Sequence, residues 1–258
     1  MQTGEADLKF SGWARRLGVS MAADAIDGDF VPIGLLNAGR KIAISRLMVG
    51  GEVGVRATEW VDVDLLRAGM SIAMVQMAVP PMVPWRDWQL HCLVALIAMT
   101  GTDFSRNLPL LKPKRLWTML PNVLPALIRC FRLDEPHEHW LLPSDSLPRD
   151  DFGQVMACRY PQIDVESAVD TVVPAIYKGL FPAHTGERAT TFGPTMAKLR
   201  TSRLADRTKQ LLPSEARASC TMRNANFLLL YWTAASPDSM AQGFGFREGP
   251  DGRVEWDE

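Results

Sequence analysis

The stretch Asp24-Ala25-Ile26-Asp27-Gly28-Asp29-Phe30 decides how the N-terminal part of the chain is interpreted. It ends a short, mostly apolar run over 19–26, which is typical of a buried parallel strand. Asp27 and Asp29 are two positions apart and would share one face of a regular strand, while Gly28 lets the backbone turn between them. In open α/β sheets, ligands bind beyond the carboxyl ends of the strands. The stretch therefore predicts a site where two carboxylates converge on one cation.

Three more acidic residues stand at the ends of predicted elements. Glu5 and Asp7 lie at the start of a helix predicted over 6–17, and Asp103 follows an apolar helix predicted over 85–100. A carboxylate at a helix start is favoured by the exposed N–H groups there. Each of these residues taken singly is better explained as a helix cap or part of a solvated edge than as a metal ligand. Their order along the chain is more informative than any one of them.

The remaining pattern predicts α/β structure first and mostly helices afterwards. A helix is predicted over 30–38, a hairpin over 41–49 and 53–61 around Gly50-Gly51, and a helix over 62–77. Later helices are predicted over 116–131, 164–178, 195–212 and 222–232, and a closing hairpin over 243–256.

Composition sets limits on the class of protein. The 258 residues are 47% hydrophobic and 22% charged, with a net charge of −1, which indicates a globular chain and gives no global electrostatic argument for nucleic acid. The four cysteines have no paired spacing, so we expect thiols in an intracellular, reducing compartment. We expect neither a targeting peptide nor a membrane span, because the start is polar and acidic and the longest apolar run is short.

Three acidic motifs in this order resemble the flap-endonuclease (XPG-like) family of structure-specific 5′ nucleases, in the PIN-like superfamily. The motifs are Gly4-Glu5-Ala6-Asp7, Ile26-Asp27-Gly28-Asp29 and Gly101-Thr102-Asp103-Phe104. The resemblance covers roughly residues 3–120. It implies a PIN/FEN-like parallel sheet flanked by helices over residues 1–115, incomplete at its N-terminus. A mainly helical region with a terminal β-hairpin would follow over 116–258.

The resemblance also implies a metal-dependent nuclease. Phosphodiester hydrolysis with two divalent ions, Mg²⁺ or Mn²⁺, needs a cluster of carboxylates to hold both ions. Carried over from the family motifs, Glu5 and Asp7 would serve the first ion. Asp27, Asp29 and Asp103 would serve the second.

This sequence departs from the family pattern in two ways, and both affect which function is expected. Family members have a strand and two metal-binding aspartates before the first of these motifs, so we expect a partner chain or an upstream segment to complete the site. The glycine-rich hairpin of the family is replaced by Asn107-Leu-Pro-Leu-Leu-Lys-Pro-Lys114. The alternative function is a catalytically inactive nuclease-like subunit with a structural or RNA-binding role in a larger, ribosome-like assembly.

Two groups of basic residues are candidate contacts to nucleic acid, whether DNA or RNA. Lys112, Lys114 and Arg115 precede a predicted helix, where phosphate binding and a solvated helix start are equally good explanations. Arg200, Arg203 and Arg207 are spaced to share one face of the helix predicted over 195–212. The alternative for the second group is a salt-bridged surface that includes Asp206 and Glu215.

Overall fold

The computed structural model describes a defined part of the chain, and the structural statements below concern that part. The described residues are 21–24, 30–36, 42–49, 56–62, 65–66, 68–69, 88–102, 105–134, 160–185, 190–233, 246–248 and 254–256. They fall into two compact units, one formed by the elements before residue 78 and the other by those from 88 onwards, through Leu229 and in the closing hairpin.

The first unit contains a small mixed sheet. Its elements are β1 (Met21–Asp24), α1 (Phe30–Leu36), β2 (Ile42–Val49) and β3 (Arg56–Asp62). Strand β1 pairs in parallel with β2, and β2 pairs antiparallel with β3, which confirms the hairpin predicted around Gly50-Gly51. Helix α1 buries Ile33 and Leu35. The carboxylate of Asp62 accepts a hydrogen bond of 3.0 Å from the Leu65 N–H, as expected of a residue that caps the next helical segment.

The predicted PIN/FEN-like parallel sheet flanked by helices is wrong. Among the described strands only β1 and β2 run parallel, the sheet has three strands, and the other described pairs are separate antiparallel ribbons. A parallel pair needs a crossover of about a dozen residues or more, whereas β2 and β3 are joined by a short connection that can only reverse the chain. The described structure is otherwise dominated by helices.

The second unit is mainly helical. Its helices are α2 (Trp88–Met99), α3 (Pro113–Cys130), α4 (Val165–Leu180), α5 (Pro182–Thr185), α6 (Phe192–Thr201), α7 (Asp206–Gln210) and α8 (Glu215–Thr233). None of the described helices combines the length and the apolar content that crossing a bilayer requires.

Two antiparallel strand pairs accompany these helices. Strand β4 (Phe131–Asp134) pairs with β5 (Tyr160–Ile163), and β6 (Phe246–Glu248) pairs with β7 (Val254–Trp256). The second pair is the closing hairpin that the sequence predicts. The first pair was not predicted, because its strands are four residues long and lie far apart in sequence.

Helices α3 and α4 form the centre of the core. Asp164 caps the start of α4, and its carboxylate accepts a hydrogen bond of 3.2 Å from the Ser167 N–H. The two helices pack so closely at Gly179 that a Cβ atom added there would overlap the side chain of Met119. Any larger residue at this position would therefore force the Met119 side chain to shift.

The single helix predicted over 195–212 is also wrong, since two shorter helices, α6 and α7, occupy this segment. The Ser202 hydroxyl donates a hydrogen bond of 2.7 Å to the Leu199 carbonyl oxygen and accepts one of 3.4 Å from the Leu204 N–H. Ser202 itself has an extended backbone. A serine hydroxyl that bonds nearby backbone groups competes with the helical hydrogen bonds, and here it ends α6.

Candidate nucleic-acid interface

The connection between α2 and α3 folds back tightly on the end of α2. Gly101 has a positive φ of 98°, which favours glycine, and a Cβ there would lie 3.0 Å from the Cβ of Asn107. The Ser105 hydroxyl donates a hydrogen bond of 2.8 Å to the Ala98 carbonyl oxygen, and the Leu108 N–H donates one of 2.9 Å to the Met99 carbonyl oxygen. These bonds satisfy carbonyl groups that the helix end would otherwise leave without partners.

Side chains from α4 and α8 hold the same connection from the other side. The Tyr177 hydroxyl donates a hydrogen bond of 2.6 Å to the Pro109 carbonyl oxygen. From α8, Arg217 donates through Nη2 to the Asn107 carbonyl oxygen at 3.2 Å, and the Asn224 side chain accepts from the Arg106 N–H at 3.4 Å. Leu108 and Leu111 are buried beneath these contacts. The connection is thus fixed in place by three helices of the same unit.

The connection ends at the start of α3, where three cations are exposed. Lys112 is the residue that precedes the helix, Pro113 opens it, and Lys114 and Arg115 follow, with all three basic side chains exposed. No described side chain caps this helix start, and its first turn holds no acidic residue. The start of a helix carries a positive partial charge. Here Pro113 has no N–H, and the N–H groups of Arg115 and Leu116 both bond the Lys112 carbonyl oxygen, at 2.9 and 3.0 Å. Three cations beside such a helix start form a surface that suits phosphate oxygens.

The structure does not test the predicted carboxylate cluster. Glu5, Asp7, Asp27, Asp29 and Asp103 all lie outside the described residues. Within the part of the chain that is described, no three potential metal ligands of the His, Cys, Asp or Glu type come together. The carboxylate site thus remains a prediction from the sequence, and of its surroundings the structure describes Gly101, Thr102 and Ser105.

The second basic group is not the continuous stripe that its spacing predicts. Arg200 lies in α6, Arg203 in the break after it and Arg207 in α7, so these exposed residues do not share one helix face. Arg200 donates a hydrogen bond of 3.2 Å through Nη2 to the Pro213 carbonyl oxygen. In α7, Asp206 pairs at 3.6 Å with Lys209, which is a lysine and not one of the three arginines of this group.

Sequence reasoning missed a pair of arginines behind the connection. Arg106 and Arg217 line a small pocket with residues at the start of α8. Burial lowers the pKa of the Arg217 guanidinium, and the positive charge of Arg106 lowers it further. These two residues are far apart in sequence, and only Arg106, directly after the Gly-x-Asp-Phe-Ser run, stands near a motif. Nothing in the sequence indicated that Arg217 lies close to Arg106.

Comparisons of the chain with protein-family models, with curated proteins and with solved structures gave no match.

Proposed function

We propose that this chain binds nucleic acid and, through its predicted carboxylates, acts as a metal-dependent nuclease. The observation that carries the proposal is the start of α3, where Lys112, Lys114 and Arg115 are exposed around an uncapped helix start without a neighbouring acidic side chain in the first turn. Exposed cations beside the positive end of a helix bind phosphate oxygens of any sequence.

The position of this surface in the chain supports the link to catalysis. One connection joins α2 to α3, and it contains Asp103 in the sequence near its beginning and Lys112 at its end. Its described part is anchored by Tyr177 and Arg217. A phosphate bound at the start of α3 would then lie at a fixed distance from the described beginning of this connection, as positioning for hydrolysis requires.

The proposed chemistry is phosphodiester hydrolysis supported by Mg²⁺ or Mn²⁺. Divalent ions held by carboxylates generate the attacking hydroxide and stabilise the leaving oxygen. The residues that would hold the ions are the predicted ones: Glu5, Asp7, Asp27, Asp29 and Asp103. A protein partner or an upstream segment would complete the site.

Binding is tested by fluorescence anisotropy with labelled single-stranded and duplex oligonucleotides at several salt concentrations. Replacing Lys114 and Arg115 with Gln should weaken binding to all sequences alike and reduce the slope of log affinity against log salt by roughly one per lost phosphate contact. Arg129→Gln is the matched control, because Arg129 is an exposed cation in the last turn of the same helix. Equal affinity and equal salt slope in all three proteins would exclude the start of α3 as the interface.

Catalysis is tested separately on flap, nicked and single-stranded substrates with Mn²⁺, with and without candidate partner chains. Asp29→Asn should abolish cleavage and leave binding at the start of α3 intact. Cleavage that persists in Asp29→Asn would remove that residue from the proposed site.

The second candidate is an inactive nucleic-acid-binding subunit of a larger assembly, and the corrected fold favours it. A nuclease of the resembled family would place its carboxylates along a parallel sheet, whereas the described sheet has one parallel pair. Following thermal stability during Mn²⁺ titration separates the two candidates. A rise that Asp29→Asn abolishes supports the enzyme. The inactive subunit would show nucleic-acid binding without any such rise.

A further inference from the structure

A pocket of about 260 Å³ lies between the α2–α3 connection and the first turns of α8. It is lined by Arg106, Ser214, Ala216, Arg217 and Cys220. This volume is slightly below the about 300 Å³ at which pockets for drug-sized molecules begin. The pocket therefore suits a small ion or one group of a larger molecule.

Two positively charged side chains face this pocket together. Arg217 uses Nη2 to bond the Asn107 carbonyl oxygen at 3.2 Å, while its buried Nε has no hydrogen-bond partner among the described residues. A buried donor without a partner costs free energy that a ligand with acceptor atoms would recover. The lowered pKa of Arg217 agrees with this geometry, since burial and the charge of Arg106 both disfavour its charged form.

The surroundings of the pocket add to its preference for a negative charge. Ser214 stands directly before α8, and its hydroxyl accepts a hydrogen bond of 3.1 Å from the Arg217 N–H. The pocket thus opens beside the positive end of a helix of 19 residues. Of the acidic residues near the lining residues in sequence, Glu215 is exposed and is not one of the lining residues, and Asp103 lies outside the described residues.

We propose that this pocket binds a phosphate group between the guanidinium groups of Arg106 and Arg217. Guanidinium groups match the geometry of phosphate oxygens and form charge-assisted hydrogen bonds with them. Bound phosphate would accept a hydrogen bond from Arg217 Nε and offset the repulsion between the two cations. The proposal needs neither the carboxylates nor the start of α3, so it goes beyond the function proposed above.

The phosphate is either free or part of a nucleic-acid strand, and two probes distinguish these sources. The first probe is inorganic phosphate, added to the full chain at an ionic strength held constant with chloride while thermal unfolding is followed. The second is a short oligonucleotide whose affinity is measured by anisotropy. Binding of inorganic phosphate should raise the midpoint of unfolding, and the rise should grow with phosphate concentration.

Three variants connect either response to the pocket. Arg217→Gln should weaken phosphate binding about tenfold or more, since it removes a charge-assisted hydrogen bond. Ala216→Asp keeps both arginines and adds a carboxylate at an exposed lining position, where the first turn of a helix tolerates it, and should abolish the response by repulsion. Arg129→Gln removes one exposed positive charge on α3, away from the lining residues, and should retain the response.

The outcomes separate this proposal from the one before it. A phosphate response that Ala216→Asp and Arg217→Gln remove and Arg129→Gln keeps supports the pocket, whatever the oligonucleotide does. If these two variants also weaken the oligonucleotide, the phosphate belongs to the strand, and if they do not, it is free. No midpoint rise and no effect of either variant on the oligonucleotide would overturn the proposal, as would an equal response in Ala216→Asp. If inorganic phosphate gives no midpoint rise and oligonucleotide binding is lost only in the Lys114 and Arg115 variants, the first proposal stands and the pocket proposal is overturned.

Discussion

The Tyr177 hydroxyl donates a hydrogen bond of 2.6 Å to the carbonyl oxygen of Pro109, and so a fully buried tyrosine of α4 fixes the segment that leads into α3. This contact spans 68 residues of sequence. It holds the backbone between the Arg106 pocket and the exposed cations at the start of α3. Both proposed phosphate contacts therefore depend on one connection whose position is set by side chains of other helices.

Removing this hydroxyl should destabilise the unit. Tyr177→Phe leaves the Pro109 carbonyl oxygen without this donor, and we expect a loss of about 1–3 kcal/mol in the free energy of unfolding. Urea denaturation followed by circular dichroism measures it. Thr201→Ala, which removes an exposed hydroxyl bonded to carbonyl groups of its own helix, should change stability by less than about 0.5 kcal/mol. Equal stability of wild type and Tyr177→Phe would show that this bond contributes nothing net.

The same tyrosine should make the protein sensitive to alkali. Burial raises the pKa of the Tyr177 hydroxyl, and the charge of Arg217 only partly opposes this. The folded state then holds this proton more tightly than the unfolded chain, whose tyrosines titrate near about pH 10. The stabilisation is complete below that pH and is lost as pH rises above it. Stability measured between neutral pH and pH 11 should fall more steeply in wild type than in Tyr177→Phe, and parallel curves would contradict the prediction.

Asn226 of α8 takes the place of a neighbouring strand for β5. Its side-chain oxygen accepts a hydrogen bond of 2.6 Å from the Ile163 N–H, and its Nδ2 donates one of 2.8 Å to the Ile163 carbonyl oxygen. Asn226→Asp removes the donor and places two oxygens together in a buried site, so we expect a loss of about 1–3 kcal/mol or more at neutral pH. Asn122→Asp is the same change at an exposed position of α3 and should cost little.

The pH dependence of this variant provides a second check. Protonation of the introduced carboxyl restores a donor to the Ile163 carbonyl oxygen, so its pKa should be raised in the folded state. The deficit relative to wild type should then shrink as pH falls towards about 4, near the usual pKa of such groups. A deficit that is constant from pH 7 to pH 4 would show that the lost hydrogen bond to Ile163 is not its cause.

Gly179 should not tolerate a larger side chain. In Gly179→Ala the new methyl group overlaps Met119, and overpacking of this kind costs about 1–3 kcal/mol. The double variant Gly179→Ala/Met119→Ala should show a smaller loss than the sum of the two single changes, because the space vacated by Met119 accepts the methyl group. Gly193→Ala, where no atom lies within 4 Å of the added Cβ, is the control in α6. Additive losses in the double variant would rule out the Met119 overlap as the cause.

Structural elements that depend on residues close together in the sequence were predictable. Apolar periodicity and end signals predicted helices at α2, α3 and α4 with bounds displaced by a few residues, and at α8, which begins at Glu215 and not at residue 222. Asp164 caps α4, as its residue type favours. The hairpin around Gly50-Gly51 and the closing hairpin over 243–256 were both predicted. The exposed cations at the start of α3 followed from the same kind of signal. The segment 195–212 was predicted as one helix but forms α6 and α7, because the Ser202 hydroxyl competes with the backbone hydrogen bonds at the end of α6.

The sequence by itself determined most helices, both hairpins and the exposed cations at the start of α3, because each depends on propensities and capping groups within a few residues. Tertiary structure alone decided that the sheet is mixed, that β4 pairs with β5, and that Arg217 and Tyr177 hold the α2–α3 connection. These contacts join residues far apart in the chain. Their formation depends on which buried surfaces fit together, and spacing along the sequence carries little information about that.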